Sequence, residues 1–440
     1  MYVSILWHFH QPIYRKPGTK EYLLPWVNFH CLKNYYQMAR LIKETEFPCT
    51  LNFVPCLLEQ IEDYAQEKAI DPWQHALEKK PEELTPRDIE ILRKFVPGIT
   101  APSQIQFGAL RSWFSPLVDS AHNPEELLSL QKEILKNLIS DYHNLWREGK
   151  IELMTSPYYH PLLPLLFDLA SAREEKLPSL SFRHPEDGRE QLIKGREYFK
   201  QIFGDAPSGL WPPEGGLSPE VARDVFQAGF SFAVTDENIL WKSLGRTVRP
   251  EERYIPYRSE NLSVFFRDRD LSNRISFEYK KWDEKEAVND FLNQVEEKRR
   301  LGGPTSILVI ALDGENPWGH YRDNGVPFLR EFFSRLKKKG DIQLTFFQDY
   351  LAQHEPQREV TLVPGTWMEG FSKWIGSPAK NRAWEALARA RDLCGAREEI
   401  YIAESSDWFW WFGEENAEEF GTLFESYIQE ACRSSGVNFS

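Results

Sequence analysis

ILVIALDGENPW, residues 307–318, is a short apolar run that stops abruptly at a carboxylate, Asp313, and gives way to Gly, Asn, Pro and Trp. GLWPPEGG, residues 209–216, repeats the pattern with Glu214. In a sheet-based fold such residues sit where strands open into loops. A pair of acids delivered to one face, with tryptophans beside them, is the equipment for cutting a sugar chain: one carboxylate attacks or stabilises the anomeric carbon and the other protonates the leaving oxygen.

Working outward, further strand-like runs stand at 2–7, 49–54, 151–155, 231–235, 262–266 and 342–347. Helical patterns lie between most of them, at 30–44, 124–148, 188–203, 218–228, 286–300 and 326–338. That alternation predicts parallel strands covered by helices. Seven or eight strands with polar residues at their C-terminal ends favour a closed or nearly closed β/α barrel. The stretch 56–148 is too long for one crossover and must hold a helical insertion, in which 81–95 and the loop at 97–108 are expected to cover the barrel mouth. Beyond about 377 the pattern changes to consecutive amphipathic helices. The expected division is a catalytic barrel over 1–355 and a mainly helical subdomain over 356–440 that completes the cleft.

Composition narrows the function. The 440 residues are 41% hydrophobic and 27% charged, which excludes a disordered chain. The formal charge of -13, from 66 acids and 53 bases without a basic stripe, repels a phosphate backbone, so no nucleic-acid partner is expected and a neutral ligand fits better. Five cysteines, Cys31, Cys49, Cys56, Cys394 and Cys432, form no CxxC pair and are expected to be reduced. The opening MYVSILWHFHQP has no basic n-region or small-residue cleavage site, and no apolar run approaches a membrane span. The expectation is a cytoplasmic protein, with no statement about oligomeric state.

Several segments supply candidate contacts. HFHQP (8–12) follows the first strand, so His8 and His10 point the same way. A metal would need more ligands, such as His30 or His160, and hydrogen bonding to a substrate hydroxyl is the preferred reading; neither metal nor cofactor is expected. In GKIELMTSPYYHPLLPLL (149–166), Glu152 lies inside the strand and reads as a structural partner, while Tyr158, Tyr159 and His160 form a pocket rim. In WPPEGGLSPE, Ser218, Pro219 and Glu220 start a helix, whereas Glu214 precedes two glycines that permit close approach of a ligand. Asp313 ends its strand and is held most firmly; a neighbouring carboxylate raises the pKa of a catalytic acid, and Glu315 either binds substrate or shapes the loop. Fifteen Trp raise the possibility of indole faces packed on sugar rings. Trp26, Trp211 and Trp318 stand in Gly and Pro contexts, and ESSDWFWWFG (404–413) offers Asp407 and Trp408.

Taken in order, HFHQP, GKIEL, GLWPPEGG, ALDGENPW and SSDWFWWFG resemble the five sequence regions of glycoside hydrolase family 57, from residue 1 to near the C-terminus. YYHPLLPLL and DGENPWGHY look most like its amylopullulanase and α-amylase members. The resemblance implies a distorted (β/α)7 barrel with a helical C-terminal part, acting on α-glucans with retention and without a catalytic metal. It places the nucleophile at Glu214 and the general acid/base at Asp313, with His10, Trp211 and Trp318 lining sugar subsites. The fifth region, with Asp407 and Trp408, matches more loosely. The rivals are a 4-α-glucanotransferase or branching enzyme of the same family, a metal-dependent carbohydrate deacetylase or α-mannosidase on a related barrel, and a glucan-binding protein that has lost catalysis.

Overall fold

A computed structural model describes residues 1–96, 98–99, 101–118, 123–173, 175–415 and 417–437. Pro97 and Thr100 of the loop expected to cover the mouth, and residues 416 and 438–440 of the expected C-terminal subdomain, lie outside the described residues.

Strands β1 (Tyr2–Phe9), β2 (Cys49–Phe53), β3 (Ile151–Thr155), β4 (Gly209–Leu210) and β5 (Phe232–Asp236) run parallel in chain order. A short β6 (Tyr257–Ser259) lies antiparallel on the outer flank of β7 (Leu262–Arg267). The sheet continues from β5 through β7 to β8 (Ile307–Asp313) and closes on β1, a distorted seven-stranded barrel. β6 escapes a reading by apolar pattern because Arg258 interrupts its three residues.

Period-two alternation decides what the barrel contains. On β1, Val3, Ile5, Trp7 and Phe9 join the outer core against the helices, and Leu6 joins the inner cluster. Met154, Phe232, Val234, Phe265, Val309 and Ala311 share that inner cluster. The same parity puts His8, Asn52, Asp236, Arg267 and Asp313 inside at the C-terminal ends of their strands. An apolar plug with a polar layer above it therefore follows from the alternation within each strand.

The expected strand at 342–347 pairs only at β9 (Gln343–Leu344), beside Tyr2 and Val3, where β2 does not reach β1. The chain then turns into the helix Phe347–Gln353, which stoppers the barrel floor. Phe347 packs on Phe232 and Phe265. Its first amides explain the turn: the backbone N–H groups of Phe347 and Gln348 donate to the two oxygens of Glu152, each at 3.0 Å, and Thr50 Oγ1 adds a third bond at 2.8 Å. Glu152 is thus the structural partner expected of an acid inside a strand.

The insertion between β2 and β3 is helical, ending in the long helix Pro124–Arg147. After Pro378 come the helices Pro378–Cys394, Glu398–Ala403, Ser406–Trp411 and Glu418–Ser434. They dock on the loops at the barrel mouth: Tyr159 Oη donates to Glu398 at 2.8 Å, and Tyr427 Oη to the Arg15 carbonyl at 2.6 Å. No helix among the described residues is long and apolar enough to cross a membrane.

Candidate active site

A cavity of about 740 Å³ opens at the C-terminal ends of the strands. Glu214 and Asp313 both line it, together with His8, His10, Trp26, His160, Trp211, Glu315 and Asp407 of the expected contacts. Trp318 and Trp408 do not. Trp318 is 1% exposed and packs between Trp7, Tyr321 and Phe328; Trp408 is 0% exposed and donates its indole N–H to the Ile402 carbonyl at 2.7 Å. Both belong to the core. Tyr158 and Tyr159 also turn away from the cavity, donating to Glu59 and Glu398, so His160 alone of that rim reaches it.

Glu214 sits in the left-handed region, with φ 57° and ψ 22°, a conformation costly for a residue with a side chain. The surroundings fix it. Its carbonyl accepts from Trp367 N at 3.1 Å, and the next carbonyl, of Gly215, accepts from Thr235 Oγ1 at 2.5 Å. Gly216 serves packing and not ligand approach, since a Cβ there would lie 2.6 Å from Leu162. The side chain accepts at both oxygens: Trp367 Nε1–H donates to Oε2 and the Ser406 hydroxyl to Oε1, each at 2.9 Å. Because that hydroxyl has one proton, His160 Nδ1, 3.1 Å away, is the donor to Ser406 Oγ. Burial pushes Glu214 up to about 7, the Asp407 carboxylate adds to this, and the Trp367, Ser406 and His10 interactions pull the other way.

Asp313 ends β8 opposite His8 and accepts one bond, from Asn316 Nδ2 to Oδ2 at 2.8 Å. Burial raises it above the ordinary aspartate range, partly offset by Asn316 and the charge of Arg267. The following Gly314 leaves room for Phe9, whose ring would lie 1.9 Å from a Cβ. Glu315 shapes the loop. One of its oxygens accepts from the His10 backbone N–H at 2.9 Å and from Tyr35 Oη at 2.5 Å, and burial with Asp313 nearby holds it well above the ordinary range.

The remaining wall is imidazole and indole. His8, lowered to about 3 by burial, is neutral and rests its Nδ1 2.6 Å from Asn52 Oδ1. His10 donates to Asp407 at 2.8 Å and stacks on His160 with centroids 3.8 Å apart and planes 22° apart. Burial opposes ionisation of Asp407, but the His10 pair outweighs it and keeps the group below the usual range. His10, His160 and Asp407 bring potential metal-ligand atoms within 4.8 Å of one another. The stack does not suit a shared ion: each imidazole lone pair lies in its ring plane, and nearly parallel planes do not meet at coordination distance.

Sequence reasoning did not select Trp367, Ser406, Trp410, Trp411 or Phe277 as site residues. Trp367 and Trp410 stack at 5.9 Å, and Trp411 stacks on Phe420 at 5.0 Å. Helical spacing carries the signal for two of them, because 410 and 411 stand three and four residues after Asp407 and share its side of the helix. Ser406 and Phe277 carry none.

The model of glycosyl hydrolase family 57 matches residues 4–363. The chain belongs to that family. Among family relatives, an alpha-amylase of Pyrococcus horikoshii is 24% identical over 250 residues, covering 55% of this chain and 34% of the relative. A 1,4-alpha-glucan branching enzyme of Thermococcus kodakarensis is 20% identical over 507 residues, covering 92% and 69%. The aligned part spans about a third of the amylase's length. The crystal structure of a family 57 branching enzyme from Thermococcus kodakaraensis, in complex with glucose and additives, superposes with a TM-score of 0.70 at 18% identity, covering 98% of this chain and 89% of that one. At that identity the likeness is one of fold.

Proposed function

We propose that this family 57 chain is a retaining glycoside hydrolase of α-glucans, of the α-amylase or amylopullulanase type, cleaving α-1,4 bonds; action on α-1,6 bonds is read from its products on pullulan. The observation that carries the reading is that Glu214 and Asp313 open into one cavity with different hydrogen-bond environments. Donors on both oxygens suit Glu214 to act ionised, as the nucleophile. A single donor leaves Asp313 Oδ1 free to carry a proton.

In the first step Asp313 protonates the glycosidic oxygen while Glu214 attacks the anomeric carbon, and the C–O bond to the leaving sugar breaks. In the second, ionised Asp313 takes a proton from water as that water displaces Glu214, restoring the starting anomeric configuration. Retention requires the carboxyl groups about 5–5.5 Å apart. Trp410 and Trp411 line the cavity where the C–H faces of glucose units would pack, and neutral His8 offers its Nε2 to a hydroxyl. No cofactor enters this scheme. The site lies on a chain proposed to work in the cytoplasm.

Transfer to an acceptor sugar is the second reading, favoured by the branching enzyme whose alignment covers 92% of this chain. Products from amylose and pullulan, chromatographed with and without added glucose, test both. Reducing oligosaccharides from amylose support hydrolysis of α-1,4 bonds; maltotriose from pullulan adds α-1,6 bonds, whereas panose or isopanose confines cleavage to α-1,4. Chain lengthening only with glucose supports transfer, and no product from either polymer defeats the proposal.

A further inference from the structure

Arg267, at the end of β7, has a side chain only 7% exposed. Its Nε donates to Asp236 at 2.6 Å and its Nη1 to the Ala311 carbonyl at 2.9 Å, while Nη2 is buried without a partner among the described residues. A guanidinium held only to neutralise Asp236 has no reason to leave one nitrogen unpaired, a costly arrangement in a dry interior. Its other neighbour supplies the reason. The guanidinium carbon lies 5.7 Å from the centroid of Trp367, the indole that donates to Glu214. A second route ends at the same residue: Asp236 Oδ1 accepts from Asn238 Nδ2 at 2.6 Å, and that amide donates to the carbonyl of Thr366, directly before Trp367, at 2.9 Å.

We propose, on the assignment of Glu214 and Asp313 above, that Arg267 is a positioning residue: it clamps the Trp367 indole against Glu214 and places a fixed cation beneath the two reacting acids. A planar fork can bond two partners and lie over a ring at once, which a lysine ammonium cannot. The cation also acts on Asp313, whose other polar neighbours are Asn316, His10 and Glu315. Glu214 faces Asp407, His10, Ser406 and Trp367.

The test compares the Arg267→Met and Arg267→Lys enzymes with wild type by kcat, KM and pH profile on a maltooligosaccharide. The Trp367 indole N–H is followed in parallel by ¹⁵N NMR, assigned with Trp367→Phe. Arg267→Met is expected to lower kcat about 10- to 100-fold, the scale of a misplaced reacting group, with KM changed less than about twofold. Loss of the cation moves the alkaline limb set by Asp313 to higher pH, and the midpoint at which the indole signal follows Glu214 shifts. Arg267→Lys restores part of kcat. A kcat within about twofold of wild type overturns the proposal, as does a lower kcat with both the pH limbs and the indole midpoint unmoved. If Arg267→Met does not fold, Arg267→Lys carries the test: a shifted indole midpoint with reduced kcat supports the clamp, and wild-type values overturn it. A wild-type enzyme inactive on every α-glucan would defeat the hydrolase reading, and the indole titration would still decide the clamp.

Discussion

Glu152 at the barrel floor is buried and Glu214 at its mouth is half-buried, and withdrawal from water pushes each carboxyl up to about 7. Glu152 is held by two helix-start amides and a threonine, with a phenylalanine-bearing helix sealing the space beside it. Glu214 is held by an indole and a hydroxyl, strained in its backbone, and open to a cavity. The difference teaches that a displaced pKa reports burial, and that burial alone marks no function. What separates a structural acid from a reactive one is space on the far side of the carboxylate and the lack of backbone amides among its donors.

The largest expected effect breaks the comparison outright. Glu214→Ala should lower kcat by about 10⁵-fold or more, the scale of removing a nucleophile that acts as a unit with its partners. Azide should then yield a glycosyl azide of inverted configuration, and full activity without azide would refute the assignment. Asp313→Asn should cost about 10²- to 10⁴-fold, the range of general acid catalysis, and least on substrates whose leaving group needs no proton. Glu152→Gln should leave kcat within about twofold. An amide cannot accept at both ends, so one of the two helix amides loses its partner and the protein is destabilised by about 1–3 kcal/mol, read as a lower Tm. A loss of kcat without loss of stability would show that the floor glutamate takes part in chemistry.

Stability against pH sharpens the contrast. An acid whose folded pKa is raised above its unfolded value contributes stability that is present below the unfolded value and lost as pH rises through the folded one. For both glutamates that loss falls between about 4.5 and about 7. Glu214→Gln removes the burden of an ionised carboxylate while keeping an oxygen for Trp367 and an N–H for Ser406. Its Tm at pH 8 should exceed wild type by about 1–3 °C, the opposite sign to Glu152→Gln. The same sign for both would erase the distinction drawn here.

How much of this was legible before the fold was known follows from which interactions are local. The barrel strands announce themselves by continuous apolar runs, and both acids by the abrupt ends of those runs. Ser218 as a helix cap is a local pattern, and its side chain does accept from Val221 N at 3.2 Å. The strand expected at 342–347 is cut short after Leu344, where Glu152, nearly two hundred residues away, recruits the amides of Phe347 and Gln348 into a helix start. Trp318 and Trp408 looked like loop or face residues, yet the core on either side of them is assembled from distant segments. Trp367 and Ser406 were hidden for the same reason. Their importance lies wholly in reaching Glu214, across 153 and 192 residues of chain.

The smallest effect examines that reach. Trp367 is the foremost of the hydrogen bonds that draw Glu214 back toward its ordinary range. Trp367→Phe keeps a ring to stack on Trp410 but removes the N–H, so the ionised form of Glu214 loses a donor and its pKa rises further. Because the nucleophile must be ionised, the acidic limb of kcat/KM is set by Glu214 and should move to higher pH, by about half a unit to one unit. At the sealed floor the counterpart is Thr50: exchanging it removes one side-chain donor, and two backbone amides still hold Glu152. An acidic limb that stays in place in Trp367→Phe would mean that the indole bond does not govern ionisation at the mouth, and that space alone distinguishes the two glutamates.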